Sequence, residues 1–389
     1  MLHGQTTERS ALDPEQLSAT LQAHGVMRLA EETDLWVVFD GSDLRKPHAE
    51  TMEHLQRVKR LSGGGMVNGY RTLNAIGLGT DGKRGLLYHR LFSSAAPDFV
   101  SEPAETRTAI RSVGTALAPR QANGTTVTAI LDSGFDDVAV WGEVWGQGWQ
   151  LVCRLYHRDR WVERTDGTAC QLHEVAEGLR RLTTVEAEMV VRKVGQTRPK
   201  LQDVEATISA VPLGVRWRTG LRTAATGPEH SRQCWLVEVT LQRTETEAWW
   251  LLTDQPVETA EQAQRIFRMY CQRWAIEDAF KLAKSCLGWE QVQLLAYDAV
   301  RLLVALGWVA AGFLFELGVS LGWDELQLLR RLGGGEERPN RPPGKLVLTR
   351  GLRRLLDYLA TTAILTDQEH RHGLPPRIAA MLARDPVPP

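Results

Sequence analysis

A chain of 389 residues, 43% hydrophobic and 24% charged, is long enough to bury a substantial core and to form two or three domains. Its formal net charge of -1 and pI near 6.8 exclude a uniformly basic nucleic-acid binder, so any polyanion must be met by local patches. Five cysteines without a CxxC pair indicate neither a zinc ribbon nor a disulfide framework, and MLHGQTTERS lacks the layout of a secretory signal.

In chain order, Ser10 to Leu29 has a helical pattern, and LWVVFDGSDLRK (35–46) reads as a strand running into Asp40 and a turn. The polar stretch 46–60 reads as a surface connection, and the Ser62-Gly63-Gly64-Gly65 loop after it lacks the P-loop pattern, which excludes an ATP phosphate cradle. Two extended segments within 68–94, joined by Asp81-Gly82, predict a hairpin, and 104–117 predicts a helix. TVTAILDSGFDD (126–137) is a β-branched run into Asp132, followed by a short helix at 138–144 and a strand at 149–155.

Between Arg160 and Thr246, five or so period-2 segments broken by Gly, Pro and polar turns predict an antiparallel β region, with Trp249 to Leu252 as the strand that follows it. Residues 260–290 carry one long helical pattern. On it, Tyr270, Arg273, Glu277 and Lys284 stand at offsets 0, 3, 7 and 14, which places them within roughly a 60° wedge of one face. Beyond it, 291–317 predicts a buried core helix, since its uncharged run at 302–315 is short for a membrane span. A helix at 323–332, a Pro/Gly-rich break at 336–344 and helical periodicity at 352–365 complete the chain, with six basic residues and no acid from Arg338 to Arg354.

Tyr-x2-Arg-x3-Glu-x6-Lys, preceded by WLLTDQPV and containing RWAIEDAFKLAK, resembles the signature around the third acid of DDE transposases from bacterial insertion sequences. The resemblance implies an α/β fold with a ribonuclease H-like core interrupted by an antiparallel β-rich insertion and followed by a helical C-terminal region. The parts fall at 1–34 (short N-terminal helical segment), 35–159 (first part of the core), 160–246 (insertion), 247–332 (last core strand and catalytic helices) and 333–389 (basic C-terminal region). It makes Asp40, Asp132 and Glu277 the catalytic carboxylates, holding two Mg²⁺ or Mn²⁺ per site. Asp43, Asp136 and Asp137 are neighbouring alternatives, while Asp254 reads as a turn residue.

The same resemblance implies DNA contacts from Tyr270, Arg273 and Lys284, and the basic stretches add Arg57, Lys59 and Arg350. Trp217 or Trp235 would stack on a displaced base, although packing is the commoner task of a tryptophan. The partners implied are double-stranded DNA at the element's terminal inverted repeats, target DNA and a second copy in a DNA-bound homodimer, in the cytoplasm and not at a membrane. Only 39 residues precede Asp40, fewer than the family's usual DNA-binding region. An inactive or truncated DNA-binding relic therefore stands beside a transposase, as does a metal-dependent nuclease, since the same carboxylates can support hydrolysis.

Overall fold

The computed structural model describes residues 13–61, 64–79, 83–195, 200–216, 231–291, 293–336 and 342–376. It is a mixed α/β protein built on one continuous sheet. Strand β1 (Asp34–Arg45) lies antiparallel to β3 (Met66–Leu78), which lies antiparallel to β4 (Arg84–Phe92). On its other side β1 pairs in parallel with β5 (Thr126–Leu131), and β5 in parallel with β6 (Gln150–Arg154). The Asp81-Gly82 turn lies outside the described residues, but the strands it joins pair as expected.

Parallel strands need helical crossovers, and these cover the sheet. Helix α2 (Glu102–Ala122) starts where the Ser101 side chain accepts from the Ala104 N–H at 3.2 Å, and α3 (Val138–Gly146) starts where Asp137 accepts from Ala139 at 2.7 Å. Their Ile110, Val113, Leu117, Trp141 and Val144 pack with Phe39, Leu131 and Leu151 in the main hydrophobic cluster. Val38, Ile130 and Val152 alternate with those strand residues and are buried as well, so both faces of the central strands are dry. Helix α1 (Pro14–Arg28), capped by Asp13, lies so close to β4 that a Cβ on Gly25 would stand 2.1 Å from the Leu86 carbonyl oxygen; only glycine fits there.

The β-rich region extends this sheet. Strands β7 (Trp161–Glu163), β8 (Ala169–Gln171), β9 (Arg180–Val191), β10 (Lys200–Arg216) and β11 (Ser231–Leu241) are antiparallel, with a one-turn helix, α4 (Leu172–Ala176), between β8 and β9. Strand β12 (Trp249–Thr253) joins β11 to β6 and is antiparallel to both. The sequence reading differs in two places here. The polar stretch after Lys46 holds a further strand, β2 (Gln56–Lys59), which continues the β4 edge of β3. The segments read as separate around Pro212 form one seventeen-residue strand.

The long helix expected over 260–290 is two helices, α5 (Ala260–Cys271) and α6 (Trp274–Ser285). Beyond them run α7 (Tyr297–Ser320), α8 (Trp323–Leu332) and α9 (Lys345–His372). Helix α7 is longer than its uncharged run implied and is long and apolar enough to cross a membrane by length and composition; only 33% of its most apolar window is buried, less than the core helix expected. Contacts divide the chain into Met1–Gly312 and Phe313–Pro389. In the second unit α8 and α9 pack through Leu326, Leu329 and Leu348, and the basic stretch from Lys345 onward, Arg350 included, is helical.

Candidate active site

The site begins with strand register. Phe39 of β1 pairs with Leu131 of β5 in a parallel ladder, so the next residues, Asp40 and Asp132, emerge side by side at the same end of the sheet. Helix α5 is started by a capping box, in which Thr259 accepts from the Gln262 N–H at 3.3 Å and Gln262 accepts from the Thr259 N–H at 3.1 Å. It ends in a tightened turn: the Arg273 N–H bonds the Tyr270 carbonyl at 3.0 Å, and Ala275 bonds Gln272 at 2.9 Å. Such i to i-3 bonds eclipse side chains three apart, so Tyr270 and Arg273 point the same way, toward the two aspartates.

There Arg273 meets all three acids. Its Nη1 lies 3.1 Å from Asp40 Oδ2 and 3.8 Å from Asp132 Oδ2, and its Nη2 donates to Glu277 Oε1 at 2.5 Å. Sharing one nitrogen, the two aspartate oxygens are no more than about 7 Å apart, the sum of those distances. The Tyr270 hydroxyl donates to Asp132 Oδ1 at 3.1 Å, with its ring held edge-on by Trp249. The three acids stand 92 and 145 residues apart in the chain and converge on one guanidinium.

Burial raises the Asp40 pKa from 3.8 to about 7 against the pull of Arg273, with Asp132 and Glu277 pushing in the same direction as burial. Burial, followed by the Asp132 charge, raises that of Tyr270, keeping the phenol a proton donor. Arg273 remains a cation, because Asp132, Tyr270, Asp40 and Glu277 together outweigh its own burial. The sign for stability follows from the Asp40 shift. A carboxyl whose folded pKa is raised contributes stability that is fully present below the unfolded value and is lost as pH rises through the folded value. In EDTA, the wild-type melting temperature should therefore fall between about pH 4 and pH 7 more steeply than that of Asp40→Asn; equal slopes would remove Asp40 as the source.

The other expected contact residues are dispersed. Lys284, in the last turn of α6, stands 4.0 Å from Glu290 Oε1 and borders a cavity of about 1120 Å³ with Arg45, Lys46 and Arg60. Arg57 is tied to Asn68 Oδ1 and the Met66 carbonyl, and Lys59 shares its strand β2. Arg350 is exposed on α9 in the second unit. Trp235, half-buried on β11, borders a cavity of about 550 Å³ with Arg164 and Arg180, while Trp217 lies outside the described residues.

Of the alternative acids, Asp254 accepts from the Leu151 N–H at 2.8 Å and from Arg232 at 2.7 Å, and Asp136 accepts from the Tyr156 and His157 N–H groups and Arg160; both hold the framework. Asp43 pairs with Arg71, and Asp137 caps α3. The reading from sequence missed Glu290, which meets Arg45 at 3.1 Å across 245 residues, a contact with no local signal.

Fold and site together define an α/β protein with a partly buried cluster of three carboxylates around one buried arginine at the end of two parallel strands. No protein-family model matches the chain, and no curated protein matches it.

Proposed function

We propose that this protein is a metal-dependent DNA phosphodiester enzyme of the DDE transposase type, cutting element ends and joining them to target DNA. The observation that carries the reading is the meeting of Asp40, Asp132 and Glu277 from three distant segments around a single cation. The three strands β1, β3 and β4, each antiparallel to the next and expected of a ribonuclease H-like core, support it, as does the β-rich stretch lying between the second and third acids.

The donor set suits a hard divalent ion, since all three groups offer carboxylate oxygens and one arginine leaves a net charge of about -2 when all are ionised. The oxygens are spaced around a guanidinium, and among the described residues no group of three His, Cys, Asp or Glu side chains is gathered closely enough to hold an ion as they stand. Asp40, Asp132 and Glu277 would hold Mg²⁺ or Mn²⁺, which when bound lowers the pKa of an attacking oxygen and stabilises the leaving one.

The chain's own residues do the rest. Tyr270 fixes the Asp132 carboxylate by donating to one of its oxygens. Lys284 and the basic cavity beside it offer charge to a phosphate backbone, as do Arg57, Lys59 and Arg350. Trp235 between Arg164 and Arg180 suits an unpaired base, which stacks on an aromatic face. The working form is a homodimer assembled on terminal inverted repeats, in the cytoplasm.

Metal removal tests the proposal. The protein should cut a duplex carrying the DNA that flanks its own gene in Mg²⁺ or Mn²⁺ and lose all cutting in EDTA. Joined products from a precleaved 3′-hydroxyl end mark a transposase, and cutting without joining marks a nuclease. Cutting that survives EDTA would overturn the metal assignment.

A further inference from the structure

The residue with no satisfactory bland explanation is Arg273. Its side chain is 9% exposed, yet it sits in a pocket of charge, with both terminal nitrogens given to carboxylates and its buried Nε without a hydrogen-bond partner. An orphaned buried donor costs roughly 1–3 kcal/mol, a penalty Arg273 shares with the framework residue Arg160. What sets Arg273 apart from the framework pairs nearby is the number of acids it meets: Arg160 pairs with Asp136 and Arg232 with Asp254, whereas Arg273 engages Asp40, Asp132 and Glu277 together.

Geometry gives Arg273 a different task. Nη1 and Nη2 lie between the three acids that the proposed function assigns to the metal, where a cation of any kind would be drawn. Without a cation there, Asp40 and Asp132, emerging side by side from adjacent strands, would repel each other. Exposure is uneven across the cluster: the Glu277 side chain is 53% exposed, against 17% for Asp40 and 29% for Asp132, and Asp40 also borders a cavity of about 210 Å³. Glu277 is the most accessible of the three to an ion in solvent, and the Nη2 contact is the most exposed of those an ion must break.

Resting on the metal reading above, we propose that Arg273 is a built-in counter-ion, which holds the three carboxylates together in the metal-free protein and which a divalent ion must displace to bind. Arg273 is thus a positioning residue that competes with the metal for the same oxygens. Assembly of the site and its metal affinity are opposed through one side chain: the guanidinium that gathers the ligands also weakens the ion's hold on them.

The test is direct Mn²⁺ binding to the full chain, read from the electron paramagnetic resonance signal of free Mn²⁺, together with melting temperature with and without Mn²⁺. Arg273→Gln removes the charge, and Arg273→Lys keeps it on a single point. The Gln variant should melt lower than wild type in EDTA, regain more of its loss when Mn²⁺ is added, and bind Mn²⁺ about tenfold more tightly. The Lys variant should fall between the two, and it carries the test if Arg273→Gln does not fold. Binding in either variant equal to or weaker than wild type, at a site still sensitive to Glu277→Gln, would overturn the counter-ion role while leaving the metal site standing. Absence of Mn²⁺ binding, at one or two ions per chain, in wild type and both variants would overturn both.

Discussion

Changing Glu277 to Gln should lower the rate of metal-dependent DNA cutting by about a thousandfold or more, equivalent to about 4 kcal/mol of lost transition-state stabilisation. The substitution keeps the side chain's volume and removes one anionic ligand. Glu277 is more than half exposed, so losing its pair with Arg273 should cost the fold no more than about 1 kcal/mol. Asp40→Asn and Asp132→Asn should be comparably inactive. Parallel measurements of end cleavage, DNA binding and melting temperature separate the outcomes, and cleavage by Glu277→Gln within tenfold of wild type would remove Glu277 from the chemistry.

Why this cluster was partly legible beforehand is a matter of which interactions are local. The runs into Asp40 and Asp132 are β-branched and apolar, and their burial on both faces is what a central strand demands. That these runs become parallel neighbours with Phe39 opposite Leu131 is decided by pairing across some ninety residues and leaves no mark on either segment. The break between α5 and α6 was hidden for a related reason. Gln272 and Arg273 are good helix formers, so propensity favours a continuous helix. The chain instead tightens there, and Arg273 reaches the carboxylates.

The β-rich region illustrates the opposite error. Pro212 and Gly214 look like a strand end, because proline cannot donate to a ladder. In β10 the pairing with β9 stops at Ala210 and that with β7 occurs at Gly214, so Pro212 falls in the gap and costs no bond while its other edge follows β11. Strand β2 was missed because its exposed side chains alternate with buried Gln56 and Val58, and a four-residue polar strand has too little periodicity to stand out.

The second large effect concerns Asp136, four residues beyond Asp132 and distinct from it in task. Its side chain is 2% exposed, and its oxygens accept the Tyr156 and His157 N–H groups, each at 2.8 Å, and the Arg160 guanidinium at 2.6 Å. Those contacts fasten the end of β6 to the segment after β5, and Arg160 in turn lies over the Trp141 ring at 4.6 Å. Removing the carboxylate takes the charged partner from a mostly buried guanidinium, which keeps its 2.9 Å bond to the Asp136 carbonyl and the Trp141 ring, and takes the acceptor from two amides. Asp136→Ala should therefore cost about 3–5 kcal/mol, the usual penalty for breaking a buried pair from one side. Asp132, whose side chain is 29% exposed and lies 3.8 Å from Arg273, carries no such framework. Asp132→Asn should leave urea unfolding within about 1 kcal/mol of wild type while abolishing cleavage. Asp136→Ala should lower the urea midpoint sharply, and the fraction still folded should cut DNA at a rate near wild type. If Asp136→Ala were fully stable but inactive, and Asp132→Asn unstable but active, the two aspartates would have to exchange roles.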